Sequence, residues 1–187
     1  MTDDASPAVE RVVLLGMMGS GKSSVGAALS RRTGWSFVDN DALVERATGR
    51  TARDILAEHG EDEMRAAETA ALRTALDLEP PVIVATAAGT VLDPANRDRL
   101  RGGGLVVWLR APADVLAERA TGAAHRPWLE EDPVGWFRRA QAERDGLYAE
   151  VADLEVDTSS VAPAAAAERI LAALRADASR MSDPIRP

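Results

Sequence analysis

The residues of this 187-residue chain with the clearest chemical purpose lie between Arg11 and Ala27, RVVLLGMMGSGKSSVGA. Gly16, four residues, then Gly21, Lys22 and Ser23 fit the G-x-x-x-x-G-K-[ST] spacing of a phosphate-binding loop, and the apolar run Val12 to Leu15 supplies the buried strand that must precede it. Gly16, Gly19 and Gly21 let the backbone come close to phosphate oxygens, so that successive N–H groups and the start of the next helix face them. Gly19, Ser20, Gly21, Lys22, Ser23 and Ser24 are the candidate phosphate contacts, with Lys22 reaching the β- and γ-phosphates and the Ser23 hydroxyl placed for Mg²⁺. Lys22 is the only lysine, and the other 21 of the 22 basic residues are arginine. A compact ammonium serves a phosphate as a point charge where a planar fork does not fit.

A phosphate loop alone is compatible with a hydrolase, a switch or a kinase. Ligands in open α/β sheets bind beyond the carboxyl ends of the strands, so polar residues at those ends carry the decision. Asp39 and Asp41 leave the second expected strand together. One carboxylate there can hold Mg²⁺ while its neighbour orients an acceptor hydroxyl, a division of labour suited to phosphoryl transfer. The competing reading is that Asp39 or Asn40 caps the following helix.

These groups need a scaffold, and the chain reads as alternating strands and helices. Strands are expected at Val12 to Leu15, Trp35 to Asp39, Val82 to Thr86, LVVWLR at 105 to 110 and DLEVD at 153 to 157. Helices are expected over Lys22 to Arg32, from Asp41 through Ala47, over ARDILAEH after a Thr51 cap, Glu61 to Leu78, DPANRDRLR, Pro112 to Ala120, Val134 to Glu150 and Pro163 to Ala176. The pattern implies a parallel sheet of about five strands with helices on both faces, in one domain over 11 to 176. Residues 1 to 10 and 177 to 187 read as flexible ends, and 121 to 133, TGAAHRPWLEEDP, as a mobile loop. Gly102-Gly103-Gly104 precedes a strand and not a helix, so it reads as a connector. Trp108 and Trp136 read as packing residues.

A net charge of −8 disfavours nonspecific binding to nucleic acid or anionic membranes. The absence of cysteine excludes disulfides and Cys-based metal sites. The amino terminus, MTDDASPAVE, lacks the blocks of a signal peptide, and no apolar run reaches spanning length. The expectation is a cytoplasmic monomer with neither nucleic-acid nor membrane partners.

From Arg11 to Ala173 the chain resembles shikimate kinase. The matching pieces are GMMGSGKSSVG, FVDNDALVERATGRTARDI, HGEDEMRAAE, VATAAGTVLDP, the HRPWL loop and ERDGLYAEVADLEVDT, in that order. The resemblance implies a P-loop kinase fold with a mobile lid at about 121 to 133, ATP and Mg²⁺ as cofactors, and a small acid, shikimate foremost, as substrate. By position it implies that Asp41 binds the acceptor hydroxyls and takes the proton, and that Asp39 joins Ser23 in holding the metal. It further implies that Arg65 and Arg144 grip the substrate carboxylate, Arg126 closes over the phosphates, Arg119 and Pro163 flank the adenine, and Glu68 supports the acceptor site. Read alone, Arg65 and Glu68 make an i,i+3 surface pair, and Arg144 lies on a solvated charged face among Arg138, Arg139, Glu143 and Asp145. A related sugar or cyclitol acid as acceptor, and a regulatory nucleotide-binding paralogue, are the alternatives.

Some positions depart from the family. Ala87-Ala88-Gly89 stands where three glycines are usual, with Ala88 and Gly89 as candidate backbone contacts of the acceptor. Leu56 and Met64 replace aromatic residues, Trp128 replaces an aliphatic one, and Gly146 replaces a proline. The alanine methyls narrow the approach to the acceptor, and at a positive φ either would be strained. A reshaped acceptor pocket is the expectation.

Overall fold

The computed structural model describes residues 9–121 and 132–182. Five parallel strands form its sheet: β1 (Arg11–Leu15), β2 (Ser36–Asp39), β3 (Val82–Ala85), β4 (Leu105–Arg110) and β5 (Leu154–Asp157), in the order β2-β3-β1-β4-β5. The helices are α1 (Lys22–Thr33), α2 (Asn40–Thr48), α3 (Ala52–His59), α4 (Glu61–Leu76), α5 (Pro94–Leu100), α6 (Ala113–Thr121), α7 (Pro133–Val151) and α8 (Pro163–Ser182), with a short 3₁₀ turn at Thr90–Leu92. The expected α/β architecture with a parallel sheet is therefore present.

The central strand β1 is sealed on both faces, its residues Val12 to Leu15 being fully buried. Alternation along it sends Val12 and Leu14 to a core with α1 and α8, and Val13 and Leu15 to a core with α4 to α7. Each such side chain contributes about 1.5–3 kcal/mol on burial. A third cluster joins Leu43 and Val44 of α2, Ile55 of α3 and Ala71 and Ala75 of α4 to Val82 and Val84 of β3. Trp108 lies in the second of these cores, and Trp136 packs edge-on against Phe137 with ring centres 5.0 Å apart, both as packing residues.

From β1 the chain runs by α1 to β2 on one side, and from β3 it crosses to β4 on the other. The reversal falls at the carboxyl end of β1, where the phosphate loop lies, which is the position at which such sheets bind ligands.

Two helix ends differ from expectation. Helix α4 stops at Leu76, two residues short of Leu78, and the Leu78 carbonyl instead accepts a hydrogen bond from the Arg11 guanidinium at 2.6 Å. Helix α8 continues to Ser182, past the expected end at Ala176, since no glycine or proline interrupts Asp177 to Ser182.

Gly104 is the working residue of the connector before β4. Its φ is +120°, and a Cβ there would lie 2.4 Å from the Arg11 carbonyl oxygen. Gly104→Ala should therefore cost about 2–4 kcal/mol of stability, combining left-handed strain with backbone overlap. Urea unfolding measures it, and a loss below about 1 kcal/mol would mean that the entry to β4 relaxes freely.

Candidate active site

A single cavity of about 670 Å³ opens beyond the carboxyl ends of β1, β2 and β3. One wall is the phosphate loop, Met18 to Ser24, and another carries Asp41, Glu68, Ala87 and Ala88, while Arg119, Thr158 and Pro163 close the far end.

Chain reversal after β1 requires the loop glycines. Gly16 has φ +139°, and a Cβ on it would lie 2.3 Å from the Leu109 carbonyl oxygen and 2.8 Å from Ser20 Oγ. Gly21, at φ +95°, is the residue from which α1 starts without any side-chain cap, so the first N–H groups of the helix are left for a ligand. Lys22 folds back on the loop, its Nζ donating to the carbonyls of Gly16 at 2.8 Å and Met17 at 3.1 Å. Burial pushes this ammonium down to about 8, against the opposing charges of Asp41, Asp39 and Glu68.

The Ser23 hydroxyl donates to Asp39 Oδ2 at 2.6 Å. The other carboxylate oxygen, Oδ1, accepts the Asp41 amide at 3.1 Å and so caps α2. Asp39 thus caps α2 with one oxygen and keeps the other on Ser23, so the two readings that the sequence set against each other do not exclude one another. A hydroxyl and a carboxylate side by side are hard oxygen donors, few in number, which fits Mg²⁺ held largely by water and nucleotide phosphates.

Glu68 is buried, its side chain 10 % exposed, and it accepts Arg65 Nη1 at 2.8 Å; Glu61 accepts the same guanidinium through Nη2 at 2.9 Å. The i,i+3 pair exists but is not a surface pair. Burial, aided by Asp41, raises the Glu68 carboxyl above its ordinary range in spite of Arg65 and Arg144. The Arg65 guanidinium lies against Gly89: a Cβ there would sit 1.7 Å from Arg65 Nη1, so a larger residue would displace the guanidinium, the φ of −86° itself imposing no need for glycine. Arg144 is only 12 % exposed, which overturns the solvated-face reading; its Nε meets Glu143 at 3.2 Å while its charge acts on Glu68 and Tyr148. Arg65 and Gly89 line a smaller cavity of about 420 Å³ that shares Glu68 with the main one, and Arg144 lines neither.

Arg119 bridges the loop to the end of β5, donating to the carbonyls of Gly19 at 3.4 Å, Thr158 at 2.7 Å and Ser159 at 3.2 Å. Pro163 opens α8 at the same rim. No non-glycine residue among those described has a positive φ, so Ala87 and Ala88 are unstrained and act only through their methyl volume. Arg126 and most of the expected lid, with His125 and Trp128, lie outside the described residues.

Two contributors escape the sequence. Thr158 Oγ1 lies within hydrogen-bond reach of the Ser20 carbonyl at 3.0 Å and the Arg110 carbonyl at 3.1 Å, anchoring the loop; its place just after a strand was the signal that pointed to it. Tyr148, the only tyrosine, donates from its phenol to the Ala88 carbonyl at 2.6 Å. Its contact is 60 residues away in sequence, and its being the sole tyrosine is the one signal that could have drawn attention to it.

Comparison with known proteins settles the affiliation. The family profile described as Shikimate kinase matches residues 18–175. This chain belongs to the shikimate kinase family. It is 40% identical over 164 residues to the shikimate kinase of Paramagnetospirillum magneticum, covering 87% of this chain and 83% of that one. The structure of the shikimate kinase from Acinetobacter baumannii in complex with shikimate is similar at a TM-score of 0.86 and 32% identity, covering 92% of this chain and 97% of that one. A gluconokinase from Sinorhizobium meliloti is less similar, at 0.65 and 27%, with coverage of 91% and 94%.

Below about pH 8 Lys22 is charged and above it neutral, whereas bound phosphate requires the charge. ADP affinity, measured by calorimetry with EDTA, should be level near pH 7 and approach a tenfold loss per unit above about pH 8. Lys22→Met should bind weakly with no such slope. A level wild-type profile to about pH 9.5 would show that the ammonium stays charged throughout.

Proposed function

We propose that this protein transfers the γ-phosphoryl group of ATP to a hydroxyl of shikimate, giving shikimate 3-phosphate for aromatic amino-acid biosynthesis. The observation that carries the reading is the single cavity in which the phosphate loop faces Asp41 and Glu68. The phosphate loop and the two carboxylates thus share one open cavity, and positioning supplies most of the catalysis in such reactions.

Lys22 exchanges its two loop carbonyls for the β- and γ-phosphates. Asp41 orients the acceptor hydroxyl and receives its proton. Ser23 and Asp39 hold Mg²⁺, which when bound neutralises charge on the transferring phosphoryl group. The amides of Gly19 to Ser24 cradle the phosphates, Arg126 closes over them with the lid, and Arg119 and Pro163 flank the adenine. Arg65 and Arg144 take the acceptor carboxylate, with Ala88 and Gly89 presenting backbone to the ring. The low exposure of Arg65 and Arg144 supports this assignment, because arginines withdrawn from solvent on two separate helices are unlike solvated surface charges. For Arg65 the arriving carboxylate competes with Glu61, the more exposed of its two partners at 65 %.

The protein works as a cytoplasmic monomer in a single domain of 11–176. No helix among the described residues is long and apolar enough to cross a membrane. The methyls of Ala87 and Ala88, which line the cavity, narrow the acceptor wall.

Coupled ADP-release assays against shikimate and a panel of sugar and cyclitol acids test the reaction. Turnover is expected with shikimate and should be lost in Lys22→Ala, and Ala87→Gly/Ala88→Gly should raise kcat/KM for it. ATP binding without turnover of any acceptor would favour a regulatory role instead.

Arg144→Ala should raise the acceptor KM by about ten- to a hundredfold and leave ATP affinity unchanged, as expected for a charge-assisted contact of about 1.5–3 kcal/mol. Arg65→Ala should do the same and also lower thermal stability, since Glu68 is then buried without its partner. Losses under about fivefold in both would return the arginines to the class of exposed pairs.

A further inference from the structure

The geometry points to Tyr148 as a positioning residue that sets the separation between Arg65 and Arg144 by tethering the Ala88 carbonyl to α7. The inference rests on the shikimate phosphorylation proposed above.

The Tyr148 side chain is fully buried, yet a phenylalanine would fill that space without requiring a polar partner. Its phenol is satisfied by the Ala88 carbonyl at 2.6 Å, and the Met17 sulfur, from the phosphate loop, lies 3.7 Å from the same oxygen. Trp108 of β4 stacks on the ring with centres 5.7 Å apart, which fixes its orientation. Burial keeps the phenol far above its ordinary range, so it remains a donor at any pH the fold survives.

Two short lever arms run from this bond. On one side, Arg144 is one helical turn before Tyr148 on α7, so both project from one face of that helix. On the other, Ala88 is followed by Gly89, against which the Arg65 guanidinium is pressed so closely that no Cβ would fit. Any movement of the Ala88 carbonyl moves the seat of Arg65, and any movement of α7 moves Arg144. The phenol ties these two movements together across the acceptor site. A planar carboxylate held by two guanidiniums from different elements needs that distance kept constant, and a displacement of about 1 Å is enough to matter.

Tyr148→Phe retains the ring, its stacking and its volume and removes only the donor. The shikimate KM is expected to rise about five- to twentyfold, with kcat within about threefold and the ATP KM within about twofold of wild type. Amide exchange should accelerate at Thr90 and Leu92, whose N–H groups are bonded to the carbonyls of Ala87 and Gly89, and stay unchanged in the phosphate loop. A shikimate KM within twofold of wild type, or an equal rise in both KM values, would overturn the positioning role even if the melting temperature fell. A wild-type chain that fails to turn over shikimate refutes the proposed reaction and leaves the tether to be decided by exchange alone, where unchanged rates at Thr90 and Leu92 overturn it.

Discussion

Everything in the site depends on the enclosure of a charge. The Lys22 ammonium sits where burial disfavours it, held by two carbonyls of the loop that it serves. This arrangement persists because β1 is sealed on both faces and delivers the loop to a fixed point, and because Gly16 allows the chain to turn against Leu109. A lysine stored in this way is already partly withdrawn from water when phosphate arrives, and its loop carbonyls are replaced by stronger acceptors.

The acceptor side follows the same principle with more partners. Arg65, Asp41 and Arg144 all act on the buried Glu68 carboxylate, so no one of these charges has a fixed worth of its own. Burial works against the Arg65 charge, but Glu68 and Glu61 outweigh it and hold the guanidinium above its ordinary value. Breaking such a group by one deletion exposes the remaining members to an uncompensated desolvation cost.

The strands, the helices and the loop were legible because each has a local signature: the apolar run of β1, the near-continuous apolar β4, the Thr51 cap and the glycine spacing. Depth was not legible. Arg65 and Glu68 have the spacing of a surface pair, and only the packing of α4 against α2, α3 and the turn at Gly89 draws them inward. Arg144 sits in a run of charges that gives no sign of turning inward. The early end of α4 depends on Arg11, 67 residues distant, and the Tyr148 tether spans 60. The two readings of Asp39 were posed as rivals because a sequence does not reveal that one carboxylate has an oxygen for each.

The separate cluster formed by α2, α3, α4 and β3 has a consequence for how such a protein changes over generations. The layer of α2, α3 and α4, which carries Asp41, Arg65 and Glu68, has its own small apolar interior, distinct from the two cores that clamp β1 and the phosphate loop. Drift at Met64 is therefore absorbed beside Ile55 and Ala67 without disturbing the strand that carries the phosphate loop. Selection can refashion the recognition of one small molecule while the machinery for the other is inherited intact.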